Sequence, residues 1–359
     1  MADTLVDAVE PVPPTQRDPE APQPAAEPPK RSPTRGLVAA FIAMFVLGAT
    51  AAVVLWLLVF RYQPTALAHV PAGSNVVVRI EPTDFILFGP VRNHLLPLVL
   101  EDKPKEPSLT KVPLAERIHE QTGVRLPVDI REMLIATMDG KSVVALFGGK
   151  ISRGKFVSGL AEVARQEHWE GFRLENEVLV GPNIAIGQAD DGTIVVGTDR
   201  AIVMTALPAS EEGLKSALPE QGAVRFVVAK PAWEALGKGG AMFADASAFG
   251  GVRQGTGSFT LGMSPEVVMR LEPTEGGDTA AIEKGLTSML ANLRLLTMLA
   301  PDRFGEKGAL QQAVVSRDGG QVVVRAPWPY EGLDRGAALL AERLRAIGSV
   351  NGAAEPSRP

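Results

Sequence analysis

Apolar and polar positions follow three successive rhythms along the chain. Residues 1–35 hold nine prolines and five alanines, with no aromatic residue and no apolar periodicity. Such a segment buries too little apolar surface to offset its ordering entropy, so a disordered tail is expected there. Residues 36–60 then run for 25 positions without one charge (GLVAAFIAMFVLGATAAVVLWLLVF). From Val70 onward the pattern breaks into short alternating runs, bounded by glycine and aspartate, between stretches of helical periodicity. Alternation with turn residues predicts strands and hairpins, and recurrence at three and four residues predicts helices.

The uncharged run is about 37 Å long as a helix, against a hydrocarbon layer of about 30 Å, so it predicts a transmembrane signal anchor. A cleaved signal peptide has a shorter apolar region, about 7–15 residues, behind a short basic start. Lys30, Arg31 and Arg35 precede the run and only Arg61 closely follows it. The positive-inside rule then expects a cytoplasmic tail and an extracytoplasmic chain from residue 61, single-pass in a bacterial plasma (inner) membrane. Gly48-x-x-x-Ala52 is a small-xxx-small pattern through which two such helices would touch, which allows a homodimer.

Beyond the run, one succession of elements occurs twice. Val70-Pro-Ala-Gly-Ser-Asn-Val-Val-Val-Arg-Ile-Glu-Pro82 can be laid on Leu218-Pro-Glu-Gln-Gly-Ala-Val-Arg-Phe-Val-Val-Ala-Lys-Pro231. Each is an apolar-Pro step, a glycine turn, a β-rich stretch and a proline opening a helix. Met133–Met138 and Ser142–Phe147 predict a hairpin followed by a helix near Gly154–Gln166. Ser258–Met263 and Glu266–Leu271 predict its counterpart, followed by a helix over Asp278–Leu299. Ile184–Ala189 with Thr193–Val196, and Ala313–Ser316 with Gln321–Arg325, predict a last hairpin in each half. Leu333–Ile347 closes the second half as a helix with Leu333, Ala337, Leu340, Leu344 and Ile347 on one face.

The expected fold class is α+β: a single transmembrane helix, then a duplicated domain of antiparallel sheet with helices packed on it. Its parts are a tail at 1–35, the anchor at 36–60, a linker at 61–69, a first α+β half at 70–217 and a second at 218–350. A disordered C-terminus at 351–359 follows. The Gly- and Ala-rich stretch Gly237–Gly257 is expected to be a loop.

The apolar run, the Pro-x-Gly-x-x-Val-Val-Val opening and Thr122-Gly-Val-Arg-Leu-Pro-Val-Asp129-Ile-Arg-Glu resemble a family of uncharacterised bacterial envelope proteins. The resemblance implies a single-pass protein with a duplicated extracytoplasmic α+β domain. It brings no catalytic residue with it.

Composition narrows the chemistry. There are no cysteines, so disulfides, thiolate metal sites and cysteine nucleophiles are excluded. The net charge of -5 argues against a nucleic-acid binder. Gly149-Lys-Ile-Ser-Arg-Gly154-Lys155-Phe156 matches a phosphate-binding P-loop up to its last position, where Phe156 replaces the Mg²⁺-binding hydroxyl. It is read as a basic loop that starts a helix. His69, His94, His119 and His168 have no metal-ligand spacing. Asp190-Asp191-Gly192 reads as a turn, and no G-x-S-x-G elbow is present.

No catalytic, cofactor-binding or metal-binding residue is assigned, and no cofactor is expected. The candidate partner surface is the wide apolar arc of Leu290, Leu295, Met298 and Leu299, for which burial on two sides between the halves is the simpler expectation. The expected function is a membrane-anchored binding or scaffold protein that contacts an envelope protein, with an envelope hydrolase acting on cell wall or lipid as the alternative.

Overall fold

The computed structural model describes residues 64–100, 114–126, 128–138, 140–211, 213–238 and 246–350. The first half contains β1 (Val76–Ile80), α1 (Pro82–Leu87), α2 (Leu96–Leu100), α3 (Leu114–Thr122), β2 (Ile130–Thr137), β3 (Val143–Gly149) and α4 (Phe156–Gln166). It continues with β4 (Arg173–Glu175), β5 (Val178–Val180), β6 (Ala185–Gln188), β7 (Ile194–Gly197) and α5 (Arg200–Ala206). The second contains β8 (Val224–Ala229), α6 (Lys230–Lys238), β9 (Val252–Thr260), β10 (Glu266–Pro273) and α7 (Thr279–Leu299). It ends with α8 (Glu306–Gln312), β11 (Val314–Asp318), β12 (Gln321–Pro327) and α9 (Tyr330–Val350).

All twelve strands belong to one antiparallel sheet, in the order β11-β12-β10-β9-β8-β1-β2-β3-β7-β6-β5-β4. β1 and β8 pair at its centre, with Val78 opposite Phe226. Outward from β1 the order is β2, β3, β7, β6, and outward from β8 it is β9, β10, β12, β11. The halves are therefore two wings of one continuous sheet. The first wing has an additional hairpin, β4–β5, turned by Asn176 and Glu177, both at positive φ.

Alternation assigns the faces. Along β2, Leu134 and Ala136 are buried while Met133 and Ile135 on the other side are half-buried. The first face of this wing packs Val77, Leu134, Leu146 and Val195 under α5 and the 3-10 turn Ala66–His69. The second face lies against α4, whose Phe156, Val157 and Leu160 join Val124, Ile186 and Ile194. In the other wing, the second face packs Leu271, Val322 and Val324 against Trp233, Phe249, Ile282, Leu286 and Leu290. Asp278 caps α7, its carboxylate accepting from the N–H groups of Ala280 (2.8 Å) and Ala281 (3.2 Å).

Several expectations are corrected. Among the described residues, no helix is long and apolar enough to cross a membrane. The longest, α7 and α9, each have 21 residues and are interrupted by charges such as Glu283, Lys284 and Arg294 in α7. The single transmembrane anchor is thus not part of the observed fold. The inner-membrane, single-pass placement with a cytoplasmic N-terminus has no support in it. Residues 36–60, which carried that expectation, and the tail at 1–35 lie outside the described residues.

The C-terminal end of the stretch expected as a loop is strand: β9 begins at Val252. Its glycines are there because of neighbours, since a Cβ on Gly255 would collide with the Trp233 ring and one on Gly257 with the Phe226 ring. The apolar stripe of α9 is covered only in part. Ala337 and Ala341 are buried, but Leu340 and Leu344 are exposed.

Candidate functional site

On the second face of the first wing, the strand register lines up four apolar side chains in a row. Ile80 on β1 is opposite Met133 on β2, Met133 opposite Phe147 on β3, and Phe147 opposite Ile194 on β7. The next row adds Val196, opposite Ile186 on β6. This floor is roofed at one end by Pro82, Phe85 and Ile86 of α1 and at the other by Phe156 and Leu160 of α4. Between floor and roof lies an open-sided cavity of about 670 Å³, bordered by Ile130 and Leu126, whose wall presents no polar atom.

The strands form this floor because both of their faces are apolar. Leu134 and Leu146 serve the closed face with no exposure, while Met133 and Phe147, one residue earlier and later, line the cavity and remain half-buried. Half-burial of apolar residues on central strands is unusual where helices cover a sheet fully. Here the roof consists of the short α1 and the separate N-terminal turns of α4.

The P-loop-like segment has a structural role. Gly149 ends β3 where a Cβ would overlap the carbonyl oxygen of Asp129, and Gly154 sits at φ 69°. Lys155 is exposed, and Phe156 turns its ring into the cavity. The Phe156 N–H, which a phosphate would need, donates to Gln188 Oε1 at 3.1 Å. β3 pairs antiparallel with β2 and β7, so the parallel strand of a nucleotide fold is absent from this loop.

The Asp190-Asp191-Gly192 turn does more than turn. Asp191 accepts from the Thr193 N–H (2.8 Å) and lies 3.0 Å from Nε2 of the buried His69. Nδ1 of the same ring is 3.0 Å from the carbonyl oxygen of Ala206. Each ring nitrogen thus faces an acceptor, and neither is left for a nucleophile. Burial pushes the Asp191 carboxyl up. The Thr193 N–H, the Thr193 hydroxyl and His69 outweigh it, so the net direction is down.

The other histidines are scattered. His94 faces Asp334 at 3.0 Å, His119 lies 3.2 Å from Arg125 Nε, and His168 adopts positive φ beyond the end of α4. Among the described residues, no group of three or more His, Asp or Glu side chains is placed to hold a metal ion.

The four candidate surface residues separate. Leu290 is buried against the sheet, whereas Leu295, Met298 and Leu299 are 63%, 65% and 91% exposed. Two-sided burial of this end of α7 is therefore not observed. The buried residues of α7 are Ile282, Gly285, Leu286 and Leu290, all in its N-terminal part.

The cavity was not among the candidates from sequence. The apolar character of both parities in β2 (Ile130–Thr137) and β3 points to a sheet covered on both faces, and does not show the space left under that cover.

No protein-family model matches the chain, and no curated protein matches it. Two solved structures of TP0453, crystal forms I and III, are similar to it at 9% and 8% identity. The alignments cover 78% of this chain and 98% and 99% of theirs, each with a TM-score of 0.40. A likeness at that score carries no argument about fold or function.

Proposed function

We propose that this protein is a binding protein whose ligand is apolar and sits between the sheet and the roof of α1 and the N-terminal turns of α4. The observation that supports this reading is the cavity of about 670 Å³ with an entirely apolar wall. Its size falls within the range of about 300–1,000 Å³ usual for small-molecule sites. Reaction chemistry has no foothold there, because the lining contains no acid, base, nucleophile or hydrogen-bond donor. The polar cluster at His69 and Asp191 lies on the opposite face and is saturated by its own partners.

The test is titration of the full chain with N-phenyl-1-naphthylamine, a dye that brightens in apolar surroundings. Saturable binding is expected, with a negative heat-capacity change from apolar burial. Met133→Trp, which extends an indole over the floor, should abolish it while leaving the far-ultraviolet circular dichroism intact. Saturable binding that Met133→Trp leaves unchanged would place the dye elsewhere and overturn the assignment.

A further inference from the structure

We infer that the cavity takes the single hydrocarbon chain of an unbranched alkyl carboxylate, lying across the strands with its head outside, beside Leu126. This rests on the apolar-ligand reading above and narrows it to a ligand class.

Shape is the first argument. The floor crosses five adjacent strands, from Ile80 on β1 through Met133, Phe147 and Ile194 to Ile186 on β6. At about 4.8 Å per strand, four spacings give a trough about 19 Å long. A space of about 670 Å³ drawn out over that length suits a flexible chain better than a compact ring system.

The wall is the second argument. A head group drawn inside would lose its water without gaining one hydrogen bond, at a cost of several kcal/mol. The head therefore stays at an opening. Leu126 both lines the cavity and is 45% exposed, so the cavity reaches solvent beside it.

The charges at that opening are the third argument. Arg125, the residue before Leu126, is exposed, and its Nε donates to His119 Nε2 at 3.2 Å. The carboxylate of Asp129 nearby is engaged by the Arg125 backbone N–H at 2.7 Å. Arg125 is the cation adjacent in sequence to Leu126, and we assign the anionic head to it.

The experiment displaces N-phenyl-1-naphthylamine from the full chain with a homologous series of alkyl carboxylates, the matching alcohols and a rigid fused-ring hydrocarbon. Carboxylate affinity should rise about fourfold per methylene until the trough is filled, and then level off. Arg125→Gln, at an exposed position, should weaken the carboxylates about two- to fivefold and leave the alcohols unchanged. If the dye binds but the series is flat, or the fused ring competes best, the chain assignment fails while the apolar-ligand reading stands. Equal effects of Arg125→Gln on acids and alcohols would remove Arg125 as the head-group site. No dye binding at all would remove the broader reading.

Discussion

Arg79 stands directly opposite Arg225 across the β1–β8 pair at the centre of the sheet. Like charges in that position repel, and two glutamates neutralise them. Glu81 lies 2.8 Å from Arg79 Nε and also pairs with Arg225. Glu132, fully buried, lies 3.2 Å from Arg79 and accepts the Ala66 N–H at 3.1 Å. Burial pushes the Arg225 pKa down and the Arg79 charge adds to it, against the upward pull of Glu81 and Glu132. The network also fastens the 3-10 turn Ala66–His69 to the middle strands.

Glu132→Gln removes a buried countercharge and leaves Glu81 alone to offset Arg79 and Arg225. The expected loss is about 3 kcal/mol of stability, read from urea unfolding, because an uncompensated buried charge costs roughly 3–5 kcal/mol. An unchanged midpoint would show that water already reaches the network.

The Asp191 carboxyl has a depressed folded pKa, so it stabilises the fold fully above the unfolded aspartate value of about 3.9. That contribution disappears as pH falls through the lower, folded value. Stability measured from about pH 5 down to about pH 2 should therefore decline in wild type and decline less in Asp191→Asn. Parallel curves would mean that the contacts of Asp191 with Thr193 and His69 do not survive in solution.

The P-loop-like segment offers a contrast between two residues. Gly149→Ala should cost about 1–3 kcal/mol, since the new Cβ meets the Asp129 carbonyl and the backbone must shift. Lys155→Ala should change stability by no more than about 0.5 kcal/mol, and ATP should shift the melting temperature of neither variant nor wild type. An ATP shift that vanishes in Lys155→Ala would restore a nucleotide role.

Leu295→Glu with Met298→Glu places two charges on an exposed stretch of α7, so thermal unfolding should move little, by about 0.5 kcal/mol or less. Leu286→Ala, at a fully buried position on the same helix, should cost about 2–5 kcal/mol. A large loss in the double variant would mean that this end of α7 is covered in solution.

Local chemistry made much of the order of elements legible. Alternation and Asp-Gly turns mark β2, β3, β6, β7, β11 and β12 to within a few residues, and Asp199 and Asp278 mark two helix starts by capping them. These signals depend on neighbours in sequence, so they can be read without the fold. The short hairpin β4–β5 carries no such signal, because its turn, Asn176-Glu177, lacks the glycine that such turns usually carry.

Which hairpins become neighbours was decided only by the tertiary structure. The β1–β8 pairing joins two segments far apart in sequence, and no local rule brings Arg79 opposite Arg225 or makes two wings into one sheet. Glycines at 255 and 257 read as loop residues until Trp233 and Phe226 are seen lying over them. The cavity is the same kind of fact. Ile80, Met133, Phe147 and Ile194 each look like ordinary core residues, because their apolar character says only that they avoid water. Register sets them in one row, and the short α1 and the separate N-terminal turns of α4 leave that row partly uncovered, which the sequence expresses nowhere as a local pattern.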